Sequence, residues 1–274
     1  MSGRVEPAIG TGPVAGVGHW LADAAALTGR GIRLTRRDPG TLFALTVMPV
    51  IFFVFFSFIL GSGMSVPGGS YRDYLFPGLL VATITFSTVP AVIAGLHDDL
   101  RNGVVDRVRS LPASVSAALV GRAVADNLRN LVGVAVLVVL GLLAGVEFTG
   151  RPVALLGGLA LLLVYGFAMV WLAAFLTVSL RSLGAAQMIG TAVTGPLGFV
   201  SSLYADPSGM PGWLRVVAEH NPASATGDAL RAWMSGQAPG GALWYALAWL
   251  VTAILVFAGL TIRRVSRGLP ANPR

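Results

Sequence analysis

This 274-residue chain contains no cysteine and no lysine. Without cysteine there is no disulfide framework, no thiolate metal site and no cysteine nucleophile. Without lysine there is no phosphate-binding P-loop, no lysine Schiff base and no pyridoxal site, each of which uses a lysine amino group. If ATP matters to this protein, another chain binds it. Charge is scarce too: 11% of residues are charged and 55% hydrophobic, where a soluble domain carries roughly a quarter charged. Mean hydropathy is +0.76, and uncharged stretches are spread along nearly the whole chain. The composition excludes a soluble fold and predicts an all-α polytopic membrane protein. The net charge of +7 reads as a set of topology signals facing anionic lipid, not as a nucleic-acid surface.

A membrane helix needs about 20 mostly apolar residues. Six runs free of Asp, Glu, Lys, Arg and His qualify: Thr41 to Gly61, Tyr74 to Leu96, Asn130 to Val146, Pro152 to Leu180, Ser182 to Ala205 and Ala232 to Ile262. The membrane part of the last is expected to begin near Leu243, and the third is short unless Leu128 joins it. Pro49, Pro90 and Pro196 predict kinks, which membrane helices tolerate when neighbours satisfy the freed backbone groups. With the N-terminus inside, fourteen arginines fall on the cytoplasmic side: Arg30, Arg33, Arg36, Arg37, Arg101, Arg107, Arg109, Arg122, Arg129, Arg181, Arg263, Arg264, Arg267 and Arg274. Only four, Arg72, Arg151, Arg215 and Arg231, fall outside. The positive-inside rule then sets both termini in the cytoplasm of a multi-pass cell-membrane protein.

Residues 1–16, rich in Gly and Pro, read as a disordered cytoplasmic tail without a signal peptide. Residues 17–37 read as a basic amphipathic helix lying in the inner headgroup layer, with Trp20, Ala24, Leu27, Gly31 and Leu34 at helical spacing. A loose basic linker is the alternative. The six-span domain occupies 38–265, and 266–274 form a second cytoplasmic tail. Between spans two and three, His97 to Pro112 is predicted to form a short helix with Leu100, Val104, Val108 and Leu111 on one stripe, ended by Pro112. Another reading makes His97, Asp98, Asp99 and Asp106 a magnesium site, although no second acidic cluster completes it and nearby arginines can neutralise every carboxylate.

Gly103-Val-Val-Asp106-Arg107-Val-Arg109-Ser-Leu-Pro112, followed by Gly121-Arg122 and Ala125-Asp126, resembles the cytoplasmic loop of ABC-2 type permeases, particularly the daunorubicin/doxorubicin resistance subgroup. Other pieces agree in order and spacing: Arg37-Asp38-Pro39, Tyr74-Leu-Phe-Pro77-Gly78, Pro196-Leu-Gly-Phe199-Val-Ser201-Ser202, Met210-Pro211-Gly-Trp213-Leu214 and Asn221-Pro222. The resemblance spans about residues 30–265. It implies the permease half of an ATP-driven exporter, partnered by separately encoded ABC ATPase subunits and by a second permease, identical or homologous. The chain itself would carry no cofactor; ATP and magnesium would belong to the ATPase. It also implies a coupling helix docked on that ATPase, formed here by Leu100, Gly103, Val104, Asp106, Arg107, Val108, Arg109 and Leu111.

Residues 206–240 are too apolar for a free outer loop. Pro211, Asn221-Pro222 and Gly236 divide them into two short helices that re-enter the outer leaflet. The resemblance places an external gate in this region, with Phe199, Ser201, Met210, Trp213 and Asn221 as its residues. The pathway must be built from uncharged spans, so Thr83, Thr85, Phe86, Ser87 and Thr88 on the second and Gln187, Met188, Thr191 and Thr194 on the fifth are candidates. Helix–helix hydrogen bonding is the alternative role for them. With no acid in mid-span, the substrate is expected to bind by burial and stacking: a lipophilic or amphiphilic drug, natural product or lipid. A polysaccharide or glycolipid permease is a rival reading, but it needs inner aromatic belts, whereas Trp20, Trp213, Trp233, Trp244 and Trp249 lie near membrane surfaces or in the last span. A magnesium-dependent membrane enzyme using the loop aspartates is a third.

Overall fold

The computed structural model describes residues 28–29, 39–60, 70–102, 115–146, 149–180 and 182–267. The expected tail 1–16, all of the expected helix 17–37 except Thr28 and Gly29, residues 103–112 of the expected coupling segment, and the C-terminal tail beyond Arg267 lie outside these.

The described residues are helical with no strand, and the chain is a multi-pass membrane protein. Helix α1 (Pro39–Val54) runs without a break into a π-helical stretch, Phe55–Leu60. There follow α2 (Tyr71–Arg101), α3 (Val115–Leu143), α4 (Pro152–Ser179), α5 (Leu183–Phe199), α6 (Gly212–Glu219), α7 (Pro222–Met234) and α8 (Gly240–Ser266). Four of them, α2, α3, α4 and α8, are long and apolar enough to cross a bilayer. Helix starts follow local chemistry. The Ser70 and Ser182 hydroxyls accept from the amides of Arg72 and Ala185, and α4 and α7 begin on proline, which has no N–H to leave bare. Helices α1, α2 and α5 continue through Pro49, Pro77, Pro90 and Pro196.

Helix α2 is the centre of the bundle and touches α1, α3, α4, α5 and α7. Leu75, Phe76, Leu79, Val81, Ile84 and Ile93 on it are almost wholly buried. Its packing against α5 depends on small residues. Ala186, Gly190, Thr194 and Gly198 recur every fourth position as the buried stripe of α5, so the two backbones approach closely. A Cβ on Gly190 would meet Val89 and Ile93, and one on Gly198 would collide with the Phe86 ring. Against α4, Thr85 donates to the Val81 carbonyl (2.9 Å) and accepts from the Tyr165 hydroxyl (2.6 Å), which leaves no buried hydroxyl unpaired at that contact. Phe76 lies over Gly141 near the end of α3, and Arg122 at the start of α3 lies over Gly95, so α2 and α3 run antiparallel.

Helix α3 begins well before Asn130, where the charge-free run starts. Its first turns carry Arg122, Asp126 and Arg129, which a charge-free run excludes but which pair with one another and with Asp99 of α2. Helix α8 begins at Gly240, close to the expected Leu243. The apolar segment after α5 forms two short helices, as its punctuation indicates.

Gly78 is the tightest helix–loop contact: a Cβ there would run into the Leu203 carbonyl, a backbone group that cannot swing aside. Gly78→Ala is expected to destabilise the protein by about 1–3 kcal/mol through overpacking. Gly195→Ala, at a helical position with nothing within 4 Å of the added Cβ, is expected to be neutral or slightly stabilising. Thermal unfolding of the two variants in detergent checks the contrast; equal melting temperatures would contradict the assigned contact.

Candidate functional site

Helix α5 ends at Phe199, and its last carbonyls have no donor within the helix. Asn221 supplies one. Its amide nitrogen Nδ2 donates to the carbonyls of Val200 (2.7 Å), Leu197 (3.0 Å) and Pro196 (3.5 Å). Its Oδ1 accepts the Ala223 amide (2.9 Å) and so caps α7. One amide side chain therefore closes one helix and opens another.

Further along α7, Arg231 holds the segment that follows α5. Nε donates to the Tyr74 carbonyl (2.9 Å), and Nη2 donates to the carbonyls of Ser202 (2.6 Å) and Leu203 (3.2 Å). Nη1 pairs with Asp228. The guanidinium carbon stands 3.9 Å from the centre of the Tyr74 ring. Only a planar fork with five donors serves these partners together. Neighbouring bonds complete the network: Tyr74 and Tyr71 hydroxyls donate to Ser202 O (2.8 Å) and Tyr204 O (3.0 Å), Ser202 Oγ donates to Asp228 (2.9 Å), and Ser224 Oγ accepts the Ser202 amide (2.8 Å). At the end of α7, the Met234 carbonyl accepts from the Thr149 amide, the Thr149 hydroxyl and the Gly150 amide, all at 3.1 Å. Helix α7 thus ties α2, α5 and the α3–α4 connection together.

The expected gate residues divide around this network. Asn221 and Ser201 belong to it, Ser201 donating to the Gly198 carbonyl (2.5 Å). Phe199 is 59% exposed and ends a run of rings: its centre is 5.0 Å from Phe86 and 6.2 Å from Tyr204, which stacks on Phe56 at 4.5 Å. Met210 follows a short 3-10 turn, Pro207–Gly209, capped by Asp206. Hydrogen bonds from Ser208 hold the Asp206 carboxyl below its ordinary range. Trp213 on α6 is 73% exposed and lies apart. His220, also on this side, has Nδ1 against the Val216 carbonyl, and Glu219 pairs with Arg215 at 2.7 Å.

The expected pathway residues do not form one lining. Phe86, Gln187 and Thr194 belong to the α2–α5 seam, where Gln187 donates to the Pro90 carbonyl (3.0 Å) and Thr194 to the Gly190 carbonyl (3.0 Å). Thr83, Thr85 and Thr88 are buried on α2, and Ser87 is half-buried. Met188 and Thr191 point away from the bundle on the bare face of α5, together with Ala192, Pro196 and Phe199.

At the opposite end, Asp99 pairs with Arg122, Arg122 with Asp126 (3.3 Å), and Asp126 with Arg129 (3.3 Å). This ladder joins the last turn of α2 to α3, and the Thr28 hydroxyl reaches the Gly121 carbonyl beside it (3.0 Å). Of the expected coupling residues only Leu100 is described, half-buried against the core; Gly103, Val104, Asp106, Arg107, Val108, Arg109 and Leu111 lie outside the described residues. Of the four residues in the magnesium reading, Asp99 is ion-paired, and among the described residues no three His, Cys, Asp or Glu side chains gather to hold a metal. Sequence reasoning missed Arg231 and Asp228 as organising residues. Their signal was an i, i+3 ion pair inside an otherwise apolar segment.

A family model described as ABC-2 type transporter matches residues 23–235, a stretch that ends just beyond Met234 and so contains the whole network. The daunorubicin resistance ABC transporter permease protein DrrB1 of Streptomyces coeruleorubidus is 31% identical over 234 residues, 85% of this chain and 82% of that protein. A probable doxorubicin resistance ABC transporter permease protein, DrrC of Mycobacterium tuberculosis, is 25% identical over 220 residues, 79% of this chain and 78% of that protein.

Removing Arg231 strips donors from three carbonyls. Arg231→Ala is expected to loosen residues 200–206 by about 1.5–3 kcal/mol, the worth of hydrogen bonds to a charged group, which is roughly 10- to 100-fold faster amide exchange there. Arg231→Lys keeps the charge without the fork and should fall between. Asp228→Asn should change little, because the carboxylate is 47% exposed and an amide oxygen in its place still accepts from Ser202 and Arg231. Hydrogen–deuterium exchange of the peptide covering 200–206, with one from α4 as reference, reads all three.

Proposed function

Because the chain belongs to the ABC-2 type transporter family, we propose that this ABC transporter permease is the membrane subunit of an exporter moving a lipophilic or amphiphilic compound outward. A separate ATPase chain supplies the energy. The observation that carries this reading is identity over 85% of the chain to a relative named as a daunorubicin resistance permease. The lack of any lysine supports placing ATP and magnesium on the partner. The uncharged interiors of the spans support a substrate held by burial and stacking, not by a fixed counter-ion.

In this reading six spans cross the bilayer. Helix α1 with its π-helical extension, 39–60, is about 33 Å long at 1.5 Å per residue and forms the first, while α5 forms the fifth. Both termini are cytoplasmic, so α6 and α7 lie at the outer surface and the Asp99–Arg129 ladder at the inner one. The exposed face of α5, from Met188 to Phe199, meets a second permease subunit, and the pathway runs between the two copies. Residues 98–112 dock on the ATPase, joined by the basic segment 17–37.

Topology, energy supply and coupling are each open to measurement. The chain has no native cysteine, so single cysteines report topology directly. A cysteine at Gly209 should react with an impermeant reagent applied to intact cells, and one at Asn102 should not; labelling of Asn102 would reverse the orientation. Separately, the purified chain should hydrolyse no ATP, and co-expression with its ATPase should give ATP-dependent accumulation of an amphiphilic dye in inverted vesicles. Val104→Asp would bury a carboxylate at the ATPase contact, a loss of several kcal/mol in order of magnitude. It should abolish both co-purification and accumulation without preventing membrane insertion. Turnover by the isolated chain, or full transport by Val104→Asp, would overturn the reading it tests.

A further inference from the structure

Helices α3 and α4 do not close fully at the end covered by α7. A cavity of 390 Å³ lies there, walled by residues of α2, α3, α4 and α7. Its floor is buried, with Leu162 and Leu230 each 3% exposed, while its rim of Leu142, Leu155 and Leu159 is 39–58% exposed on the flank of the bundle. Trp233 forms part of the roof. Its indole rests against consecutive glycines of α4, where a Cβ on Gly157 would meet the ring at 3.2 Å.

Every lining residue is Leu, Val, Ala, Gly, Trp or Met. A polar ligand group would lose its hydrogen bonds there, so the occupant is hydrocarbon. An apolar cavity of about 150 Å³ stays dry and accepts a six-carbon ring, so this one takes on the order of a dozen carbons by proportion. The rim opens on the exposed flank of the bundle, which in a membrane-spanning chain meets lipid, where alkyl chains of that length are the solvent. We propose that the cavity seats one acyl chain of a membrane phospholipid, which enters between α3 and α4 and lies beneath α7. The assignment rests on the chain spanning a membrane, and on neither the direction of transport nor its substrate. Leu230, Trp233 and Met234 bear on the seated chain, while Asn221, Asp228 and Arg231 of the same helix hold the segment after α5. The lipid tail therefore supports the helix that ties this end of the bundle.

Trp233 reports occupancy. The full-length protein, Trp233→Phe and Trp244→Phe/Trp249→Phe are reconstituted into phosphatidylcholine vesicles containing a rising fraction of lipid with brominated acyl chains, which quench indole on contact. Trp244 and Trp249 on α8 are 72% and 48% exposed and give the reference for open lipid contact. A single seat fills in direct proportion to the brominated fraction, whereas a ring open to several lipids is quenched along a steeper curve. Trp233, taken as the difference between the wild type and Trp233→Phe, is expected to follow the proportional line. Ala154→Phe places a ring in the cavity and should cut Trp233 quenching several-fold while leaving Trp244 and Trp249 unchanged. Gly158→Leu is a second filler, and normal quenching of the α8 pair certifies insertion of either variant. No quenching of Trp233, a curve as steep as that of the α8 pair, or quenching that survives both fillers would overturn the proposal. Loss of quenching from the α8 pair in the wild type would count instead against the membrane-spanning reading.

Discussion

Backbone carbonyls that leave helical geometry beside apolar surroundings need donors from somewhere, and in this protein α7 supplies them. The end of α5 and the segment after it expose the carbonyls of residues 197, 200, 202 and 203, and each accepts from Asn221 or Arg231. The residue types follow from the task. Asparagine can donate to one helix end while accepting from the next, and arginine can reach several carbonyls in one plane. Tyr74 and Gly78 are shaped by the same segment, one through its hydroxyl and ring face and the other through lacking a side chain.

The opposite end is fixed by other means. There, side chains pair with side chains, and the Asp99–Arg122–Asp126–Arg129 ladder binds the helices that flank residues 103–114. Asp126 is 7% exposed, a burial tolerable for a carboxylate only because an arginine stands on either side. In the proposed transporter this ladder joins the two feet of the coupling segment, while the α7 network governs the outer end.

Element existence was legible in the sequence because apolar runs in a lipid solvent leave few alternatives to helix. The two short helices after α5 were also legible, from Pro211, Asn221-Pro222 and Gly236. The start of α3 was not, because charge counting treats Arg122, Asp126 and Arg129 as separate costs, whereas the helix pairs them three and four residues apart. The division of the α5 polar residues was hidden for a different reason. Thr191 and Thr194 look alike in sequence, but only the stripe of Ala186, Gly190 and Gly198 decides which hydroxyl faces α2. In sequence Arg231 is one of four outer arginines, and nothing local announces that its partners lie 29 and 157 residues away.

Helix α5 has 17 residues, about 25 Å at 1.5 Å per residue, against a hydrocarbon core of about 30 Å. If it is the fifth span, it is shorter than the layer it crosses, and its C-terminal end is held by Asn221 instead of being free to slide outward. Such a mismatch is relieved by thinning the bilayer locally or by tilting the neighbours, at a modest cost per ångström. Bilayer thickness then becomes a variable of this protein: a thicker membrane strains the junction between α5 and α7, and a thinner one relaxes it.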